Sequence, residues 1–340
     1  HTASLKKICY FCRMKEEVSI RLVSQESDLP HMTCKNFFHS VELFRIAEAT
    51  PMQEPCMAIA EDGRGNVVGH MLTTIFYHRS IIPPALYSHG RVYGEGEYAD
   101  ESDKDALFAL FVEKVTTRFN HRLCLYIEFS DLSNKMFGYA TFRANGYFPI
   151  QWQEIHNSLH SMSPSKRITD KLQDKIDDGL RRGVTMSVAQ TDSDDLRQAI
   201  QLLRNHFRFK PRRSVPHNEM FERLAKSDNC KILVTKYKNK VIGTSVCVYS
   251  EQNAYVWYMA SLRKSYIALH PATCTIWAAL TYAHQAEMRH VYFIDAGLPF
   301  KHSPQRDFIL SFGGKPVTKY RWFRTPLQWL DHILDWMYNE

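Results

Sequence analysis

The chain repeats itself, and the repeat limits what it can fold into. Residues 18–30, VSIRLVSQESDLP, are answered by VTMSVAQTDSDDL at 184–196, each an alternating strand followed by an acidic helix start. GNVVGHMLTTIFY (65–77) is answered by NKVIGTSVCVYS (239–250), each a turn and then a β-branched run with a glycine after two apolar residues. LCLYIEFSD (123–131) matches HVYFIDAGL (290–298), a short apolar strand followed by an acid. RANGYFPI (143–150) matches SFGGKPVT (311–318), a helix end with a glycine stop running into a strand. The four pairs keep one order and an offset of about 165–175 residues, too long for a solenoid, so the 340 residues encode two whole domains of one pattern.

Each half reads strand, helices, β-hairpin, helix, strand, helix, strand. KDALFALFVEKVTTRF (104–119) is the central helix of the first half, with apolar residues at 107, 108, 111, 112 and 115. PATCTIWAALTYAHQAEM (271–288) is its counterpart, opened by Pro271. The alternation predicts an α/β (α+β) class, each half a mixed central sheet flanked by helices. The expected division is a leader at 1–17, a first domain at 18–160, a linker helix at 161–183, a second domain at 184–325 and a C-terminal amphipathic helix at 326–340. Within the leader, Met14 followed by KEEVSIRL reads like a natural start. In the linker, Ile168, Leu172, Ile176 and Leu180 make one apolar stripe on a charged helix, suited to packing on a domain surface or serving as an arm.

Hydrophobic residues make up 44% of the chain and charged residues 23%, which excludes a disordered chain, a collagen-like fibre and a disulfide miniprotein. The net charge of +7 permits anionic ligands without demanding nucleic acid. No stretch approaches the ~20 apolar residues of a membrane span, and the first residues lack a secretory pattern, so a cytoplasmic location is expected. Cys9 and Cys12 form one CxxC with no second ligand pair, so no metal site is expected.

The order of elements resembles the GNAT acyltransferase fold, present twice. NFFHSVELF (36–44), SPSKRITDKLQDKIDDGLRRGV (163–184) and FIDAGLPF with DFILSFGGKPV (293–317) are similar to motifs of the tandem-GNAT branch that includes the Fem peptidyltransferases. The resemblance spans roughly residues 18–325. It implies N-acyl transfer to an amine, with acetyl-CoA or another acyl-CoA as co-substrate. In the Fem branch it implies aminoacyl-tRNA as donor and a cell-wall precursor as acceptor. Ile309 stands where family members commonly carry a lysine, which speaks against tRNA as a partner. Neither half carries the glycine-rich CoA loop: YADESDKDA (98–106) is acidic, whereas SLRKSYIALHPA (261–272) offers Arg263 and Lys264 to an anion. The missing loop leaves open a ligand-binding protein that kept the fold without catalysis.

Acyl transfer needs alignment, a base for the ammonium and stabilisation of an oxyanion. YSHGRVYGEGEYAD (87–100), read as a strand, puts Arg91, Tyr93, Glu95 and Glu97 on one face. Glu95 or Glu97 would then be base or amine binder, with Arg91, Tyr93 and Tyr98 holding substrate. The alternative is a charged, solvent-exposed sheet edge. Asp295, after the apolar strand of the second half, faces the usual ligand crevice or caps a turn. Tyr258 is a candidate acid or a core aromatic. His270, before Pro271, is a candidate contact for phosphate or carbonyl, or a packing residue. RNHFRFKPRR (204–213) interleaves cations with phenylalanine, which assigns Arg208, Lys210, Arg212 and Arg213 to an anionic ligand or to a solvated loop.

Overall fold

The computed structural model describes residues 18–81, 84–100, 102–132, 137–208 and 215–339; the 1–17 leader lies outside them. The chain divides into two compact units, one of residues up to 151 together with those from 319 onward, the other of residues 152–318.

The first unit contains β1 (Val18–Val23), α1 (Val41–Glu48), β2 (Gln53–Asp62), β3 (Val67–Ile81), β4 (Pro84–Tyr93), β5 (Glu97–Tyr98), α2 (Lys104–His121), β6 (Tyr126–Ser130) and α3 (Tyr139–Ala144). β7 (Phe148–Ser158) leads into the second unit. That unit holds α4 (Asp170–Arg181), β8 (Val184–Val188), α5 (Asp194–Phe207), α6 (Asn218–Leu224), β9 (Cys230–Tyr237), β10 (Lys240–Ser250), β11 (Asn253–Ser261), α7 (Pro271–Gln285), β12 (His290–Phe293) and α8 (Pro304–Leu310). β13 (Lys315–Arg324) and α9 (Gln328–Asn339) complete the chain.

The strand order in the first unit is β1-β2-β3-β4-β6-β13, and in the second β8-β9-β10-β11-β12-β7. Every neighbouring pair described in each unit is antiparallel except one, β4–β6 in the first and β11–β12 in the second. The repeated sequence thus folds into a repeated mixed sheet. The strand that closes each sheet is supplied by the other half of the sequence: Trp322 of β13 registers with Phe129, and His156 of β7 with Tyr292. The consecutive domains expected at 18–160 and 184–325 keep each closing strand with its own half, whereas the compact units trade them.

A central helix packs on each sheet through the apolar positions its period predicts. Asp103 caps α2 by accepting the Ala106 amide at 3.1 Å, and Leu107, Phe108, Phe111, Val112, Val115 and Phe119 are buried. In the second unit α7 begins at Pro271 and buries Cys274, Ile276, Ala279, Leu280 and Ala283. The glycine repeated after two apolar residues has a packing cause there. A Cβ on Gly243 would lie 2.0 Å from Thr275 Oγ1 of α7. In the linker stripe Leu172 and Ile176 are buried and Leu180 is exposed.

Candidate active site

In the second unit the sheet opens at one place. β11 and β12 run parallel from Asn253↔His290 to their last pair, Val256↔Phe293. β11 continues to Ser261, while the chain after β12 stays with β7: Gln153 N donates to Gly297 O (2.7 Å) and Ala296 N to Gln153 O (2.9 Å). β11 also carries a bulge. Val246 pairs with Tyr258 and Cys247 with Val256, so Trp257 is the extra residue, immediately past the last β11–β12 pair. A bulge re-aims the strand, and the two strands part where it sits.

A cavity of about 380 Å³ fills this opening. Val256, Trp257, Phe293 and Ile309 make its walls apolar, and Asp295, His206, Ser303 and Gln305 add polar groups. Trp152 Nε1 donates to Asp295 Oδ1 at 3.1 Å, which fixes the carboxylate on the rim of β7. Sharing His206, Met259 and Gln305 with this cavity, a second one of about 540 Å³ runs past Arg263 and Lys264 to Ala272 in the first turn of α7. An apolar chamber opening onto two exposed cations and a helix N-terminus fits a molecule with an apolar head and a phosphorylated tail.

The expected residues divide between the units. Asp295, Arg263 and Lys264 line the cleft of the second. Tyr258 does not line it: the ring is buried, edge-on to Phe207 and Phe221 at 6.2 and 5.5 Å. His270 stands apart as well, with a left-handed backbone (φ 48°) and Nε2 3.6 Å from Asp178 Oδ2. Arg208 ends α5, and Lys210, Arg212 and Arg213 lie outside the described residues. Sequence reasoning singled out none of Trp152, Trp257, His206 and Gln305, which also line the cavity; the aromatic run AYVWYMAS at 254–261 is a signal that could have drawn attention to β11.

In the first unit Arg91, Tyr93, Glu95 and Glu97 do not share one strand face. β4 ends at Tyr93, and Gly94 and Gly96 (φ 85° and 93°) turn the chain back so that Glu97 in β5 pairs with His70 of β3. Positive φ is open to glycine at little cost, and the two glycines end the alternation. Nor is β4 an exposed edge, since it lies between β3 and β6.

The charges of this region are joined to one another. Glu128, buried on β6, receives Arg91 at 3.1 Å and Arg321 at 3.4 Å. Burial opposes ionisation of Glu128, and the two guanidinium groups overcome it, holding the carboxyl below its usual range. The Arg91 guanidinium also lies over the Tyr93 ring at 4.6 Å. Glu95 pairs with Lys104, and Tyr98 donates to the Glu95 carbonyl at 2.6 Å. Glu97 accepts the Lys35 amide at 2.8 and 3.0 Å and the Asn36 amide at 3.1 Å, with His70 Nε2 at 3.5 Å. These contacts overcome the burial that would raise it, so Glu97 titrates below its ordinary value and is a weak base. The parallel pair here stays closed to its end: Tyr93 registers with Ser130, Gly94 N donates to Ser130 O at 2.7 Å, and β3–β4 shows no register shift.

The second unit is thus a mixed sheet that opens beside a bulged strand, with the first turn of α7 at the opening. Residues 166–302 match the family model of the acetyltransferase (GNAT) domain. Among solved structures the chain is similar to FemX, at 11% identity and a TM-score of 0.59, over 91% of this chain and 96% of that one. It is also similar to a tandem GNAT protein from the clavulanic acid biosynthesis pathway, at 12% identity and a TM-score of 0.57, over 90% and 98%. A third similar structure is the C-terminal domain of a putative lysylphosphatidylglycerol synthetase from Agrobacterium fabrum, at 13% identity and a TM-score of 0.55, over 88% and 92%. No curated protein sequence matches the chain. The chain carries the GNAT fold in tandem, and its residues 166–302 match the acetyltransferase domain model.

Proposed function

We propose that the second unit binds an acyl-CoA and transfers its acyl group to an amine. The observation that carries this reading is the parting of β11 from β12 at the Trp257 bulge, which has no counterpart at the closed β4–β6 pair. Beyond Val256, β11 no longer registers with β12, and a thioester carbonyl would lie against the β11 backbone there. Phe293 and Ile309 would face the acyl chain, while Arg263, Lys264 and the first turn of α7 would take the phosphates.

The amine nitrogen attacks the carbonyl carbon, forming the C–N bond. Asp295 takes the ammonium proton, and the C–S bond breaks to release CoA thiolate, which is then protonated. The β11 backbone beyond Val256 would stabilise the oxyanion between these events. Within this proposal Tyr258 supports the strand from beneath, and Glu95, Glu97 and Arg91 shape the first unit.

The deciding experiment is a thermal melt of the whole chain with acetyl-CoA, longer acyl-CoAs, free CoA and charged tRNA. A ligand that binds only the folded state raises the melting temperature by mass action, about 2.7 kcal/mol at a hundred times its Kd. The expected result is a shift with CoA compounds that shrinks in Arg263→Ala/Lys264→Ala. A shift with charged tRNA alone would overturn the CoA reading in favour of Fem-type transfer to a cell-wall precursor. Silence across all of them would favour a binding protein.

A further inference from the structure

We infer that one end of the first unit docks on an anionic phospholipid surface. The strand register fixes which residues share that end. Met52 precedes β2 and its carbonyl accepts the Tyr77 amide; Leu86 registers with Arg79; the Leu125 amide donates to Ser88; and Arg324 closes β13 opposite Ile127. Met52, Leu86, Leu123, Leu125, Leu327 and Trp329 therefore stand at the same edge, contributed by four separate connections. They are among the exposed large apolar side chains of the molecule, and Leu123 reaches 86%.

Two observations set these residues apart from scattered surface apolar groups. Leu123 has φ 51°, a conformation that suits glycine or asparagine after a helix, yet a leucine is held there and pointed at solvent. The second is that α9 is amphipathic in the inverted sense. Its acids are used inward: Asp331 is buried and accepts the Thr325 amide at 2.8 Å, and Asp335 pairs with Arg143 at 3.0 Å. Its apolar stripe of Trp329, Ile333, Trp336 and Met337 faces out.

Charge selects the partner. Glu54 at this end is taken up by Arg118 at 2.6 Å, Arg122 at 2.8 Å and the Tyr77 hydroxyl at 2.7 Å. Arg79 and His121 are exposed beside the apolar tips, and Arg324 bonds the uncharged Asn120 at 2.7 Å. Apolar tips with tryptophan beside Arg79, Arg122 and Arg324 match a bilayer interface of negative headgroups. Among the described residues no helix is long and apolar enough to cross a membrane, so the contact lies on the surface.

The test is sedimentation of the full chain with vesicles of phosphatidylcholine alone or mixed with phosphatidylglycerol. Binding is expected to the mixed vesicles and to weaken as salt is raised. Trp329→Ser/Trp336→Ser should reduce it roughly tenfold or more. Leu123→Gly should also weaken binding while the melting temperature stays level or rises, which separates docking from folding. Absence of wild-type binding to the mixed vesicles at low salt would overturn the inference. So would a dimer in analytical ultracentrifugation that the tryptophan substitutions dissociate while vesicle binding is unchanged, since the face would then serve a second copy of the chain.

Discussion

The indole Nε1 of Trp152 donates to Asp295 Oδ1 across 3.1 Å, joining two residues 143 positions apart in sequence. The bond fixes the carboxylate against the cavity that both residues line. If Asp295 is the base, Asp295→Asn should lower kcat by about a hundredfold to ten-thousandfold, with donor Kd within roughly twofold of wild type. Trp152→Phe keeps the carboxylate and loses its restraint, and should cost kcat about tenfold. Single-turnover kinetics with saturating donor, alongside binding titration, distinguishes the two.

The Arg91–Glu128–Arg321 triad is a stability element of the first unit. Glu128→Gln removes one charge and leaves two cations facing each other in a buried place, so it should cost about 3–5 kcal/mol in urea unfolding. Because the folded carboxyl titrates below its ordinary 4.5, its contribution is present above that pH and is lost as pH falls through the folded value. The variant should therefore show a flatter loss of stability than wild type on acidification.

His70 behaves in the opposite sense. Burial disfavours its charge, but the neighbouring Cys34 and Glu97 outweigh burial, raising it from 6.5 to about 9. A raised folded value stabilises fully below pH 6.5, and that contribution disappears as pH rises through about 9. The wild-type melting temperature should fall between pH 7 and 9.5. In Glu97→Gln, which deletes one of the groups holding the proton, that alkaline fall should be smaller.

Gly243 reports the contact between β10 and α7. A Cβ there would lie 2.0 Å from Thr275 Oγ1 and 3.3 Å from Thr235 Cβ, so Gly243→Ala must displace the helix or the hydroxyl. A loss of about 1–3 kcal/mol is expected in denaturant unfolding. Gly243→Ala/Thr275→Ala, which removes the atom in the way, should recover part of it.

The repeat, the two α/β halves and the helices read at 104–119 and 271–288, which the structure forms at 104–121 and 271–285, are determined by the sequence alone, because they rest on local periodicity and capping. That Arg263 and Lys264 stand between a strand and a proline-opened helix is legible for the same reason, and they line one cavity in the structure. The tertiary structure alone decided which sheet each closing strand completes. β6 and β12 are copies of one pattern, and a strand's own residues do not say which copy will accept its hydrogen bonds. It also decided which parallel pair opens. That depends on one extra residue in the register of β11 against β10, and a bulge is a property of two strands together. Finally, it separated Glu97 from Arg91. Two glycines of positive φ reversed the chain, and the carboxylate that shares a face with Arg91 in an alternating run accepts the amides of Lys35 and Asn36 instead.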